Sequence, residues 1–200
     1  MTRSSAFSIA RSPITPADTL GEVRVRPASP ADLPAVQSIY AHHVMHGLAT
    51  YEEVPPDLAE MGRRFDDLKA LGLPYVVAQS GGGVVGYGYC TLFRTRSAYR
   101  FTLEDSIYVK EGLLGKGIGK ALLSVLIERC TELGYRQLIA VIGDSGNAGS
   151  IGLHASLGFL HAGMLRSSGF KFGRWVDTVT MQRPLGPGDG TLPIGNPRTD

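Results

Sequence analysis

The sequence predicts a mixed α/β domain, with a central, twisted and mostly antiparallel sheet flanked by helices. Strand-like and helix-like segments follow one another in the order β–α–α–β–β–β–α–β–α–β–β between Glu22 and Leu185. Period-two alternation marks the strands, and apolar residues three or four apart mark the helices. Both signals are clearest from Phe101 to Gly134, which reads as a strand, a glycine-rich turn and an amphipathic helix. With 200 residues and 43% hydrophobic content, the chain is large enough to bury one full core.

Residues 1–21 carry Arg3 and Arg11 with no acid before Asp18. They read as a disordered extension, because the faint likeness to a transit peptide lacks amphipathic periodicity. Val23 and Val25 alternate with Arg24 and Arg26 in a first strand that Pro27 stops. Ser29 as N-cap and Pro30 at the first helical position then open a helix. Its buried face is Leu33, Val36, Ile39, Tyr40 and Val44. His42, His43 and His46 lie near its end without a local acid or Cys, and no metal site is expected there. After a connector at 49–53, Asp57 caps a second helix that runs to about Leu71.

Pro74–Gln79 and Val84–Phe93 form a hairpin turned at Gly81-Gly82-Gly83, followed by the polar loop Arg94-Thr95-Arg96. In the next strand Phe101, Leu103, Ile107 and Val109 occupy one side, and Thr102, Glu104, Ser106 and Tyr108 the other. Asp105 interrupts the apolar side, either as a solvated defect or at a β-bulge. The helix that follows carries Leu122, Leu123, Leu126, Ile127, Cys130 and Leu133, with Gly134 as a natural C-cap. Gln137–Ile142 is a buried strand, and Asn147 caps a helix bearing Ser150, Ile151, His154 and Leu157. The last strands lie around His161–Arg166 and Trp175–Arg183, joined by an aromatic, basic loop at 169–174. Residues 186–200 are rich in Gly and Pro and are expected to be disordered.

Composition narrows the function. A formal charge of +2 gives no bulk attraction to nucleic acid, and no apolar run approaches a membrane span. Cys90 and Cys130 read as small buried hydrophobes in a reducing, cytoplasmic setting. The chemistry concentrates at Gly115, Lys116, Gly117, Ile118, Gly119 and Lys120. Glycines let the main chain approach a ligand closely, and the first amides of a helix have no internal partner. With the helix dipole and two lysines, this turn is suited to phosphate. A nucleoside-triphosphate loop is excluded, because Leu114 stands where its first glycine should be and Ala121 where the metal-binding hydroxyl should be. A dinucleotide fingerprint also fails, since the third glycine would fall on Lys120 or Leu122.

Leu114, Gly117 and Gly119 resemble motif A of the GNAT acetyltransferases, Arg/Gln-x-x-Gly-x-Gly/Ala, with Leu at the first position. Four further blocks resemble the phosphinothricin/methionine sulfoximine N-acetyltransferases: Thr102–Val109, Ala140–Ile142, Ser150 with Leu153-His154, and Lys171–Asp177. The resemblance implies the acyl-CoA N-acyltransferase fold, acetyl-CoA as co-substrate, a small amino acid or analogue as acceptor, and a homodimer. It implies that Arg94, Thr95, Arg96, Glu104, Asp105 and Ser106 contact the acceptor. Ile107, Tyr108 and Val109 would hold the pantetheine arm, Gly115 to Lys120 the pyrophosphate, and Asn147 the cofactor farther along. Ser150 and His154, one turn apart on the Asn147 side, are further cofactor-facing candidates.

The chemistry requires a base, because an α-amine is mostly protonated at neutral pH. Glu104 is the candidate, with His154 competing; Tyr108 or a water would protonate the leaving thiolate. A backbone N–H of Ile107–Val109 is the expected oxyanion donor. No Cys or Ser has a visible base partner, so direct transfer without an acyl-enzyme is expected. A protein N-terminus or polyamine as acceptor, or a non-catalytic acyl-CoA sensor, are the alternatives.

Overall fold

The computed structural model describes residues 21–195 and 197, so the expectation for the first twenty residues lies outside the described residues. Seven strands form one sheet in the order β1-β2-β3-β4-β5-β7-β6. They are β1 (Arg24–Pro27), β2 (Tyr75–Ser80), β3 (Gly83–Leu92), β4 (Thr102–Val109), β5 (Gln137–Gly143), β6 (Leu160–Lys171) and β7 (Arg174–Pro184). The helices are α1 (Leu33–His46), α2 (Leu58–Ala70), α3 (Ile118–Glu132) and α4 (Ala148–Ser156). Only β4 and β5 pair in parallel, as their connection through α3 requires; every other neighbour is antiparallel.

The sheet separates two cores. On one side Leu122, Leu123, Leu126 and Cys130 of α3 pack on Leu103, Leu138 and Ala140. On the other, Val36, Ile39, Tyr40 and Val44 of α1 and Met61 of α2 cover Val77, Tyr87 and Tyr108. The five residues expected on the buried face of α1 are all buried. Gly86 lets α3 lie close, because a Cβ there would stand 3.1 Å from Ile118 and 3.2 Å from Leu122. At the ends, Asp57 caps α2 by accepting from the Glu60 amide at 2.8 Å, and Asn147 caps α4 by accepting from the Ser150 amide at 3.1 Å.

Two sequence expectations change. The β3–β4 register is regular from Gly86↔Val109 to Leu92↔Leu103, so Asp105 marks no bulge; it is also buried, and so is no solvated defect. The expected loop at 169–174 is mostly strand. β6 and β7 continue to Lys171↔Arg174, leaving Phe172 and Gly173 (φ 52° and 72°) as a two-residue turn. Positive φ at both positions matches the right-handed strand twist, which is why so tight a hairpin closes there. After Leu185, Arg136 donates to the carbonyls of Gly188 and Leu192 and to Thr191 Oγ1, each at 3.2 Å.

Candidate active site

The site grows from the place where β4 and β5 separate. Their ladder holds Thr102–Asp105 against Gln137–Ala140 and goes no further. The Phe93 amide bonds the Thr102 carbonyl, and the Lys110 amide bonds the Val85 carbonyl, so the even residues of β4 direct their backbone groups toward β3. By alternation, Ile107 and Val109 direct theirs toward β5, into the unladdered gap. That suits the main-chain role expected of Ile107–Val109. His43 Nε2 lies 2.9 Å from the Val109 carbonyl and fixes the end of this strand.

Beyond β4 the chain turns through Gly112, Gly115 and Gly117, with φ of 76°, 75° and 81°, before α3 begins at Ile118. A Cβ on any of the three would meet nothing within 4 Å, so these glycines serve backbone conformation, not close packing. Lys116 and Lys120 are exposed beside the helix start. Ile118 is buried in the core, leaving only its amide for a ligand, and Gly119 is tight for another reason: a Cβ there would sit 3.1 Å from Leu153 of α4. Leu114 is 70% exposed, so the residue that departs from motif A contributes no wall to this loop. A turn of open, positive-φ glycines, two lysines and an uncapped helix start fits a pyrophosphate.

Glu104, Ser106 and Tyr108 project from β4 to the α1/α2 side, opposite Thr91, Tyr89 and Tyr87 of β3. Burial raises the Glu104 pKa above the ordinary carboxylate range; the Arg94 charge opposes the shift and the Asp105 charge adds to it. The structure therefore brings Arg94 within electrostatic reach of Glu104. Arg94 lies over the Phe93 ring, 4.2 Å from its centroid, while Thr95 and Arg96 are exposed on the same loop. Tyr108 is buried among aromatic rings, 5.2 Å from Tyr87 and 5.0 Å from Tyr40, and burial pushes its pKa well up. A phenol so placed keeps its proton at neutral pH.

His154 and Asp105 do not join this group. They meet on the α3/α4 side, with His154 Nε2 3.0 Å from Asp105 Oδ2 and His154 Nδ1 2.7 Å from the Ser150 carbonyl. A carbonyl only accepts, so Nδ1 carries a hydrogen; the contact between Nε2 and the carboxylate then needs a second proton between them. Burial lowers the His154 pKa, but the hydrogen bond and charge of Asp105 with the Ser150 carbonyl outweigh it, and the net shift is upward. With both ring nitrogens engaged, His154 has no lone pair facing an acceptor. Asp105 faces the core, away from the Glu104 side. The two residues tie α4 to β4 at the last rung of the β4–β5 ladder. Ser150 and Asn147 are half-buried at the start of α4.

Sequence reasoning missed a cavity of about 220 Å³ under α2, walled by Tyr40, Met61, Leu68, Tyr75, Tyr87 and Tyr89. Its residues come from α1, α2, β2 and β3, and no local spacing joins them. It also missed Lys171, which is fully buried and donates to the carbonyls of Gly47 (2.9 Å) and Thr50 (2.8 Å), fastening the α1–α2 connection to the β6–β7 hairpin. Tyr51 of that connection lies over Gly169 and donates to the Asp177 carbonyl at 2.8 Å. Among the described residues, no group of three or more His, Cys, Asp or Glu is placed to hold a metal ion. No helix among them is long and apolar enough to cross a membrane.

The chain is similar to known proteins over most of its length. It is 57% identical over 169 residues to a phosphinothricin N-acetyltransferase of Alcaligenes faecalis, covering 84% of this chain and 86% of that protein. It is 42% identical over 164 residues to an L-methionine sulfoximine/L-methionine sulfone acetyltransferase of Pseudomonas aeruginosa, covering 82% and 95%. A crystal structure of a phosphinothricin acetyltransferase from Sinorhizobium meliloti in complex with AcCoA superposes with a TM-score of 0.83 at 53% identity, covering 86% of this chain and 93% of that one. The family model described as acetyltransferase (GNAT) matches residues 39–159, and with these relatives it shows that the chain belongs to the GNAT acetyltransferase family.

Proposed function

We propose that this chain transfers the acetyl group of acetyl-CoA to the α-amine of a small amino acid or analogue of the phosphinothricin and methionine sulfoximine type. The observation that carries the reading is Glu104, a half-buried carboxylate of raised pKa beside Arg94, one residue from the point where β4 parts from β5. Acetyl-CoA supplies the activated thioester. Glu104 takes the proton that the α-ammonium must lose, directly or through a water. Arg94, with Arg96 on the same loop, holds the α-carboxylate by charge-assisted hydrogen bonds, and Ser106 faces the same space. The Gly115–Lys120 turn binds the pyrophosphate, and the backbone of Ile107 and Val109 orients the pantetheine arm. Transfer is direct, with no acyl-enzyme. The departing thiolate takes its proton from Tyr108 or from a water; burial raises the Tyr108 pKa and so weakens it as a donor.

The active form in this reading is a homodimer in the cytoplasm. β6 is an edge strand exposed along most of its length, and Leu160, Leu165, Phe170 and Trp175 are large apolar side chains left open on its hairpin. Long apolar edges of this kind are normally covered. The free thiols of Cys90 and Cys130 fit a reducing compartment.

The test is release of CoA thiol from acetyl-CoA with methionine sulfoximine, methionine sulfone, phosphinothricin, common L-amino acids, spermidine and a Ser-Ala-led peptide. Turnover on the amino-acid group that Glu104→Gln abolishes supports the reading. Turnover confined to spermidine or the peptide would exclude it, and CoA binding without turnover on any amine would identify a sensor.

A further inference from the structure

Lys171 carries a charge that the chemistry described so far does not use. It ends β6, is 1% exposed, and donates through its ammonium to the carbonyls of Gly47 at 2.9 Å and Thr50 at 2.8 Å. Among the described residues no carboxylate comes within ion-pair distance of it. Burial lowers its pKa, and the charges of Glu53 and Glu52 oppose the shift. An ammonium taken out of water without a counter-ion is costly, and an apolar side chain of the same length would fill the space without that cost. What the ammonium adds is two directed bonds to one stretch of backbone.

That stretch, residues 47–52, borders the site twice. Gly143 lies on β5 beyond the last β4–β5 rung at Ala140, and a Cβ there would collide with the Leu48 carbonyl. The segment therefore passes over the end of the gap into which Ile107 and Val109 direct their backbone groups. A few residues on, the Tyr40 hydroxyl lies 2.9 Å from Thr50 Oγ1 and donates to Glu52 Oε1 at 3.0 Å. Glu52 is within electrostatic reach of Tyr89 and Tyr108, and Tyr89 hydrogen-bonds Ser106 on the face of β4 that carries Glu104. The β6–β7 hairpin grips the segment from the other side at two points. Tyr51 rests on Gly169, where a Cβ would strike its ring, and Lys171 holds the carbonyls on either side of Leu48 and Ala49.

We propose that Lys171 is a positioning residue for the acceptor: its buried ammonium holds residues 47–52 in place as a wall of the acceptor site, without itself touching the amino acid or acetyl-CoA. This rests on the acetyltransferase reading above. The pyrophosphate turn belongs to the β4–α3 connection and makes no bond to Lys171, so acceptor binding and cofactor binding separate when the ammonium is removed.

The experiment compares wild type with Lys171→Met, which keeps the length of the side chain and removes its donors. Three quantities are read: KM and kcat for methionine sulfoximine, the Kd of acetyl-CoA by titration calorimetry, and amide hydrogen exchange over residues 47–52. Lys171→Met is expected to raise the acceptor KM about tenfold, to leave the acetyl-CoA Kd within about twofold, and to speed exchange in the segment. Thr50→Val frees the same segment from Tyr40 without touching the hairpin and should raise the acceptor KM several-fold; it decides the question in the same way if Lys171→Met does not fold. Faster exchange with unchanged acceptor KM and kcat would overturn the proposal and leave Lys171 a purely structural fastening. Equal weakening of acceptor and acetyl-CoA would also overturn it, as general damage to the fold. Either result leaves the acetyltransferase reading intact, whereas absence of wild-type turnover on every amino acid would overturn both.

Discussion

Adjacent side chains on β4 leave the sheet in opposite directions, Glu104 toward α1 and α2 and Asp105 toward α3 and α4, and the two surroundings set different proton behaviour. Burial raises the Glu104 pKa, and a base must be ionised to act. The acid limb of kcat/KM should therefore lie above the ordinary carboxylate range and vanish in Glu104→Gln, with a loss of about 100-fold or more. A pH–rate profile of both proteins checks this. Asp105 and His154 form a buried pair, and truncating either one leaves the other charge or donor uncompensated. His154→Ala should cost about 3 kcal/mol, read by denaturant unfolding. The raised His154 pKa fixes the sign of its pH dependence: the pair's contribution is full below the unfolded pKa and fades as pH rises through the folded one. Asp32 behaves in the opposite sense. The Arg26 hydrogen bond, with the Ser29 amide and hydroxyl, holds its pKa at about 2, so its contribution is present at neutral pH and lost as pH falls toward that value. The side assigned to Glu104 was legible, because period two is a property of the strand itself. The partner of Asp105 was not, because His154 lies 49 residues away on another element.

The glycine-rich turn and α3 form a unit whose local signals agree. Gly117 adopts φ 81° immediately before the first residue of α3. Replacing it by Ala places a Cβ in the left-handed region, at a cost of about 1 kcal/mol. The same change misaims the first amides of the helix, so CoA binding measured by titration calorimetry should weaken while the neighbouring Leu114→Ala leaves it nearly unchanged. This element could be read from sequence because positive-φ glycines and a 3/4 apolar pattern are encoded within a short window. The β6–β7 hairpin was underestimated for a related reason: its turn uses Phe172, a non-glycine at φ 52°, which carries no turn signature of its own. Lys171 likewise read as a loop cation, whereas the sheet carries it under the α1–α2 connection.

Across the whole molecule, the order of elements was sufficient to anticipate the sheet and its flanking helices, since each strand and helix announces its own period. What joins distant elements was invisible: the tyrosine cavity, the Lys171 fastening and the uncovered β6 edge arise only when the sheet is assembled. The edge carries the homodimer proposal. Leu165→Glu combined with Phe170→Glu should convert a dimer to a monomer in light-scattering mass measurements, because a charge on an apolar contact must be desolvated without a partner. The sulfurs of Cys90 and Cys130 touch at 3.4 Å between β3 and α3 at zero exposure. Burial holds the Cys90 thiol far from its ionised form, so an alkylating reagent can reach neither sulfur while sheet and helix stay packed. Native labelling therefore counts only the moments when α3 lifts from the sheet, which makes these thiols an intrinsic clock for opening of the core.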